Sequence, residues 1–238
     1  MARALSKLGY CSRSRAAELI RAGRVQLNGA VRRNPETPVR LRQDRITVDR
    51  DAVSSFAKIY LMLNKPRGVV TTASDEKGRR TVYDCLGDHG SWIAPIGRLD
   101  QASEGLLLFS NDSEWAAHIL APETHLEKTY HVQVRALAGD PITTALLQGV
   151  RAGGQTLRAK AARVLRGGQR NTWLEIVLEE GKNRQIRRML DALGLEVLRL
   201  VRVAIGPLEL GQLPKGAFRP LTMREKESLA RAMKLCWG

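Results

Sequence analysis

Apolar residues recur three and four positions apart in some stretches of this chain and at every second position in others, and the two spacings predict different elements. Leu5 and Leu8 share one face of a short helix over residues 2–9, stopped at Gly9. Ser12 is a good N-cap for a second helix, in which Ala16, Leu19 and Ile20 make the apolar stripe and Gly23 ends the run. A strand at 24–27 meets Asn28-Gly29, a hairpin signal, and Ile46 to Val48 makes another short strand. Residues 51–57 lack periodicity and read as a linker. From 58 to 63 the chain alternates, with Ile59, Leu61 and Leu63 expected inward and Lys58, Tyr60 and Met62 outward. Asn64 to Gly68 is a turn, after which Val69 to Thr72 is expected to return as a strand.

The run Leu106 to Phe109 has the length of one buried strand and is far too short to span a membrane. Ser110 or Asp112 can cap a following helix that runs to about Leu120. Residues 128–134 alternate as a strand, and Asp140-Pro141 opens a helix to Gln148. Strands are expected at 157–165 and 172–179, on either side of Gly167-Gly168. Asn183 is a plausible N-cap and Gly194 a stop for a helix with two faces. Ile186, Met189, Leu190 and Leu193 lie on one; Arg184, Arg187 and Asp191 lie on the other. Strands at 196–205 and near 218–221 follow, and Thr222 with Glu225 is a capping box for a terminal helix to about Leu235. The expected architecture is α+β, with a small head at 1–50, a linker at 51–57 and a body at 58–238 whose mainly antiparallel mixed sheet is flanked by helices.

Charge changes this picture in one respect. The chain of 238 residues carries a formal net charge of +15, and its first 50 residues hold twelve Lys and Arg against four Asp and Glu. A surplus crowded into the leading fifth points to a head that faces a polyanion, most simply nucleic acid. Arg13, Arg15, Arg21 and Arg24, on and just after the second helix, are its candidate RNA contacts. Cys11, Cys85 and Cys236 form no C-x-x-C pair, and His89, His118, His125 and His131 are scattered, so neither a disulfide framework nor a metal is expected. No glycine-rich dinucleotide or phosphate loop is present. The start of the chain, charged at Arg3 and Lys7, is no signal peptide, which points to a protein of the cytoplasm.

The candidate chemistry lies in Gly97-Arg98-Leu99-Asp100-Gln101-Ala102-Ser103-Glu104-Gly105, a polar turn between two glycines that leads into the buried run. A carboxylate presented by a rigid strand to a cleft is a reactive arrangement, although Arg98 and Asp100 alone also fit a solvated turn pair. Gly-Arg-Leu-Asp, three residues, then Gly-Leu-Leu-Leu resembles the signature of S4-domain RNA pseudouridine synthases of the RsuA/RluB type. "LNKPRGVVTT" with "GRRTVYDCL" resembles the first motif shared by that family, "GKNRQIRRM" the third, and "GRVQLNG" with "DRITVD" the S4 domain.

The resemblance covers nearly the whole chain and implies a function. Specific uridines of ribosomal RNA, most simply of the large subunit, would be isomerised to pseudouridine without a cofactor, with ribosomal RNA or a precursor particle as partner and a monomeric protein. It makes Asp100 the nucleophile and Arg187 the cation paired with it. Tyr130, in Lys128-Thr129-Tyr130, becomes the platform for the uracil, and Leu200 the residue that closes the far side of the pocket. Tyr130 also fits an edge-strand aromatic, and Leu200 core packing. Arg98, Lys65, Arg67 and Arg184 are candidate substrate contacts; Lys65 and Arg67 would meet phosphate or else only shape a turn. Ala102 departs from the family, in which many members carry Asp or Asn there. The alternatives are a non-catalytic RNA-binding or ribosome-assembly protein, and a synthase acting on small-subunit or transfer RNA.

Overall fold

The computed structural model describes residues 1–87, 92–137 and 140–234. His89, Cys236 and the expected end of the last helix at Leu235 lie outside them.

In the head, α1 (Ala2–Lys7) and α2 (Arg13–Arg21) cover one face of a sheet of order β2-β1-β3-β4, made of β1 (Val25–Leu27), β2 (Ala30–Val31), β3 (Ile46–Val48) and β4 (Asp51–Ala52). Ser12 Oγ accepts the Arg15 amide at 3.1 Å as the N-cap of α2. Leu5, Ala16, Leu19 and Ile20 then pack on Val25, Leu27, Ile46 and Val48. Asp51 and Ala52, which the pattern assigns to the linker, pair with β3. The head meets the body around Asn111, whose side chain accepts the Ile59 amide and donates to the Ala57 carbonyl. Lys7 and Glu114 bridge the two units.

The body is built on β5 (Tyr60–Lys65), β6 (Ala94–Ile96), β7 (Glu104–Ser110), β8 (Lys128–Val134), β9 (Val150–Ala152), β10 (Gln155–Leu157), β11 (Ala161–Gly167), β12 (Thr172–Leu178), β13 (Val197–Ile205), β14 (Leu208–Glu209) and β15 (Phe218–Pro220). Its main sheet has the order β11-β12-β8-β13-β7-β5-β15, and every step is antiparallel except β13 to β7. The helices are α3 (Ser113–Leu120), α4 (Asp140–Gln148), α5 (Gln185–Ala192) and α6 (Met223–Ala232). Asp112 caps α3, accepting the amides of Glu114 and Trp115, and Ser110 Oγ instead accepts the Asp112 amide. The capping box of Thr222 and Glu225 opens α6.

Three further expectations fail for physical reasons. Met62 is fully buried, because β5 is an inner strand with apolar clusters on both faces: Leu61 and Leu63 on one, Met62 with Trp115 and Leu229 on the other. Val69 to Thr72 form no strand. Val70 makes one isolated bridge to Thr81, and Thr71 turns its hydroxyl to Leu99. The strand expected at 157–165 is two, because residues 158–160 turn away from β10, with the Ala159 amide on the Leu146 carbonyl, before β11 begins.

Where β7 and β13 run parallel they are joined by two residue pairs only, Val201 with Glu104 and Arg202 with Gly105. Gly105 is required there. Its φ is +102°, and a Cβ would lie 2.2 Å from the Arg202 carbonyl oxygen. The site lies beside this short seam.

Candidate active site

A cleft of about 620 Å³ beside the seam is lined by Arg98, Asp100, Tyr130, Arg184 and Leu200 among others. Five of the residues expected at the site therefore share one cavity. Lys65, Arg67 and Arg187 do not line it.

Asp100 sits on a loop whose backbone is held at every carbonyl from Leu99 to Ser103. The Thr71 hydroxyl donates to Leu99 O at 2.8 Å, and the Gly68 amide to Gln101 O at 2.8 Å. Arg187 Nη2 donates to Ala102 O at 3.1 Å. Lys65 Nζ donates to Asp100 O at 3.1 Å and to Ser103 O at 2.8 Å, with a third bond to Pro66 O at 3.1 Å. A loop bonded in this way has few alternative conformations, so the carboxylate is presented in one geometry.

Lys65 thus takes a different place from the one expected. Its side chain is fully buried beneath the loop and is not available to phosphate. Burial pushes its ammonium down to about 8, against the opposing fields of Cys85, Asp100 and Glu104. Arg67 is exposed, with Nη1 on the Leu198 carbonyl at 3.2 Å.

The cation on Asp100 is Arg184, not Arg187: Arg184 Nη1 stands 3.2 Å from Asp100 Oδ2. The reason is where the helix starts. Asn183 does not cap α5; Arg184 does, with a left-handed φ of 49°, which leaves it outside the helix and over the cleft. Arg187, one turn further on, is half-buried and reaches the loop backbone at Ala102. Burial, with Arg184 alongside, lowers the Arg187 guanidinium from its ordinary value, and Asp100 opposes that. The Asp100 and Arg184 side chains keep 36% and 49% of their surface, so the pair is solvated enough to open when a ligand arrives.

Tyr130, on β8, is paired with Arg202 of β13, and Leu200 lies two residues before Arg202 on the same face. The ring and the apolar side chain therefore stand on the sheet wall of the cleft, joined by Leu178, Ile186 and Ile205. Arg98 is exposed at the rim. Glu104 faces away from Asp100. Only 2% of its side chain is exposed, and its carboxylate accepts from Arg199 at 3.0 Å and Lys215 at 2.6 Å. Burial raises its carboxyl, and those hydrogen bonds outweigh it and leave it below the usual range.

On the head, Arg13, Arg15, Arg21 and Arg24 are all exposed. Arg15 is paired with Glu18 on its own helix, and Arg24 is forked onto Asp49. Lys128 and Arg202 also line the cleft, and no sequence signal beyond the Lys-x-Tyr spacing points to them.

Comparison with known proteins agrees with this architecture. Residues 59–192 match the family model described as RNA pseudouridylate synthase, and residues 2–46 match the S4 domain. The ribosomal large subunit pseudouridine synthase B of Bacillus subtilis (strain 168) is 37% identical, over 94% of this chain and 93% of its own. An uncharacterized RNA pseudouridine synthase of Aquifex aeolicus (strain VF5) is 36% identical, over 97% and 93%. A crystal structure of a pseudouridylate synthase superposes with a TM-score of 0.66 at 31% identity, covering 94% of this chain and 96% of that one. With its two matched units in this order and relatives aligned over more than nine-tenths of both chains, the chain belongs to the S4-domain RNA pseudouridine synthases, isomerases that act on RNA.

Proposed function

We propose that this protein converts uridine in large-subunit ribosomal RNA to pseudouridine, with Asp100 as the nucleophile. The observation that carries the reading is the Asp100 carboxylate itself, fixed by its clamped loop at a cleft whose opposite wall is aromatic and apolar. The large-subunit substrate rests on the similarity to the Bacillus subtilis enzyme.

The reaction breaks the bond from N1 to C1′, turns the uracil, and joins C5 to C1′. A proton leaves C5 and one is gained at N1, so the sum is an isomerisation. It needs a carboxylate that adds to the sugar or the base and leaves again. Arg184, with Nη1 3.2 Å from Asp100 Oδ2, holds the carboxylate in place at the cleft until the substrate arrives. The target uridine has to leave its stack, and Tyr130 returns part of that cost by stacking, worth about 1–3 kcal/mol per base. Leu200 covers the far side of the ring. Arg98 at the rim and the exposed Arg67 outside the cleft meet phosphates, and the head tracks the RNA beyond the site.

The test is Asp100→Asn, nearly the same shape and unable to act as a nucleophile. With uridine tritiated at C5, this variant is expected to release no tritium above background while binding ribosomal RNA as the wild type does. Release at the wild-type rate would remove Asp100 from the chemistry. A pseudouridine map of cells with and without the gene separates the large-subunit substrate from small-subunit and transfer RNA.

A further inference from the structure

Among the described residues, two cations of the cleft, Arg202 and Lys128, have no carboxylate partner. Arg202 is 6% exposed, deep in the sheet wall, where its Nε donates to the Leu106 carbonyl at 2.7 Å. Its Nη2 has no acceptor among the described residues. Lys128, two residues before Tyr130 on β8, points to the same face and is half-buried. Burial and the neighbouring Arg202 lower its ammonium below the ordinary lysine value. The carboxylates of the cleft wall are committed elsewhere: Asp100 to Arg184, and Glu180 to Lys182 and Gln185. A guanidinium buried without a partner is costly unless something else supplies the negative charge.

The surroundings say what that is. Leu178, Ile186, Leu200 and Ile205 make this part of the cleft apolar, and Tyr130 neighbours both cations, with Arg202 opposite it on β13 and Lys128 two residues along β8. Phosphates have exposed guanidinium groups at the rim and no need to enter. A planar ring lying on Tyr130 brings its carbonyl oxygens to the wall instead. We propose that Arg202, assisted by Lys128, contacts the uracil and stabilises the negative charge it carries while detached from the sugar. The inference rests on the uridine reading above and adds a catalytic group to it. When the bond from N1 to C1′ breaks, its electron pair stays with the base and spreads onto the carbonyl oxygens, in the cleft that Arg202 and Lys128 line. The charge is discharged when C5 bonds to C1′ and, after the C5 proton has left, N1 is protonated.

The experiment follows single-turnover loss of the substrate nucleoside from saturating RNA, by nuclease digestion and chromatography. It compares wild type, Arg202→Met, Arg202→Lys and Lys128→Met, each checked for a native circular dichroism spectrum. Arg202→Met should slow the step by about a hundredfold, the usual loss for one preorganised donor to a developing anion, with unchanged RNA affinity. Arg202→Lys should recover part of the rate, and Lys128→Met should lose less than Arg202→Met. With 5-fluorouridine at the target position, whose base is a better leaving group, the deficit of Arg202→Met should shrink. A damaged wall would slow both substrates equally, and that result overturns the proposal. So does a wild-type rate in Arg202→Met, or a loss confined to RNA affinity. A wild type that consumes neither nucleoside overturns the uridine reading itself, and the two failures are thereby distinguished.

Discussion

On the function proposed here the Asp100 loop and the basic face of the head both meet RNA, and they are built on opposite plans. Every carbonyl from Leu99 to Ser103 is bonded, mostly by groups from distant parts of the chain: Lys65, Gly68, Thr71 and Arg187. On the head, Arg13 and Arg21 extend into solvent with no side-chain partner among the described residues, and Arg15 has only a surface pair on its own helix. The difference matches the roles proposed for the two surfaces. A nucleophile misplaced by an ångström loses much of its rate, whereas a phosphate contact tolerates a swinging side chain. Order is concentrated where geometry sets the rate, and freedom is left where only charge is needed.

Lys65 is the place to break that contrast most severely. Lys65→Met removes a donor shared by three carbonyls; Ser103 O, the buried one, costs about 1–3 kcal/mol when left unsatisfied, Pro66 O and Asp100 O are half-buried and lose less, and the relief of burying no charge offsets only part of this. The expected result is a Tm lower by about 5–10 °C and a conversion rate down about a hundredfold, with RNA affinity kept by the head. A wild-type rate would mean the loop holds itself. Protonation gives a gentler version of the same test. With its ammonium pushed down to about 8 from an ordinary 10.5, Lys65 loses its charge in the folded protein first. The unfolded chain binds more protons between those values, so this group's contribution to stability rises with pH across that window. The rate is expected to fall above pH 8 while the protein does not lose stability on account of Lys65. Parallel pH series of turnover and denaturant midpoint check the divergence.

Gly105→Ala strikes the scaffold and leaves the loop's own bonds in place. The added Cβ meets the Arg202 carbonyl at 2.2 Å on a backbone at φ +102°, and both strands at the seam are central. A cost of about 2–4 kcal/mol is expected from combined strain and overpacking, read as a shift of the urea midpoint. Because Arg202 sits opposite Tyr130, the rate should fall along with stability. A variant with a normal midpoint would show that β7 and β13 can separate without harm.

The same contrast explains which features the sequence makes legible. Local signals set the elements: Ser12, Asp112 and Thr222 cap their helices, and Asn28-Gly29, both at positive φ, close the two-residue hairpin of β1 and β2. Residues whose position depends on distant partners are not legible in this way. A lysine before a proline reads as an exposed turn, and only carbonyls some thirty-five residues away make its burial tolerable. The resemblance puts Arg187 on Asp100, but helix α5 starts one residue later than Asn183 suggests, so the left-handed Arg184 reaches the carboxylate and Arg187 goes to the loop backbone at Ala102. Alternation at 58–63 cannot tell a strand covered on one face from one covered on both, so the pattern puts Met62 outward. The seam between β7 and β13, which brings Gly105 and Arg202 together, joins residues almost a hundred apart and leaves no local trace.

The smallest effects belong to the head, and they separate free charge from committed charge. Removing one cation from a phosphate should lower the slope of log affinity against log salt by about one, without touching the rate at saturating RNA. Arg13→Ala and Arg21→Ala are expected to do this, since both side chains are exposed and unengaged. Arg24 is exposed as well, but its guanidinium is forked onto Asp49, with Nε on Oδ1 at 2.8 Å. That pairing draws the Asp49 carboxyl below its usual range, so the pair presents little net charge to an approaching phosphate at neutral pH. Arg24→Ala should therefore change the slope by clearly less than one, and Asp49→Asn, which frees the guanidinium, should steepen it. Salt titrations of the four variants against one ribosomal RNA fragment decide the matter. If Arg24→Ala flattens the slope as much as Arg13→Ala, the fork opens on binding, and the head holds its cations in reserve rather than committing them to its own fold.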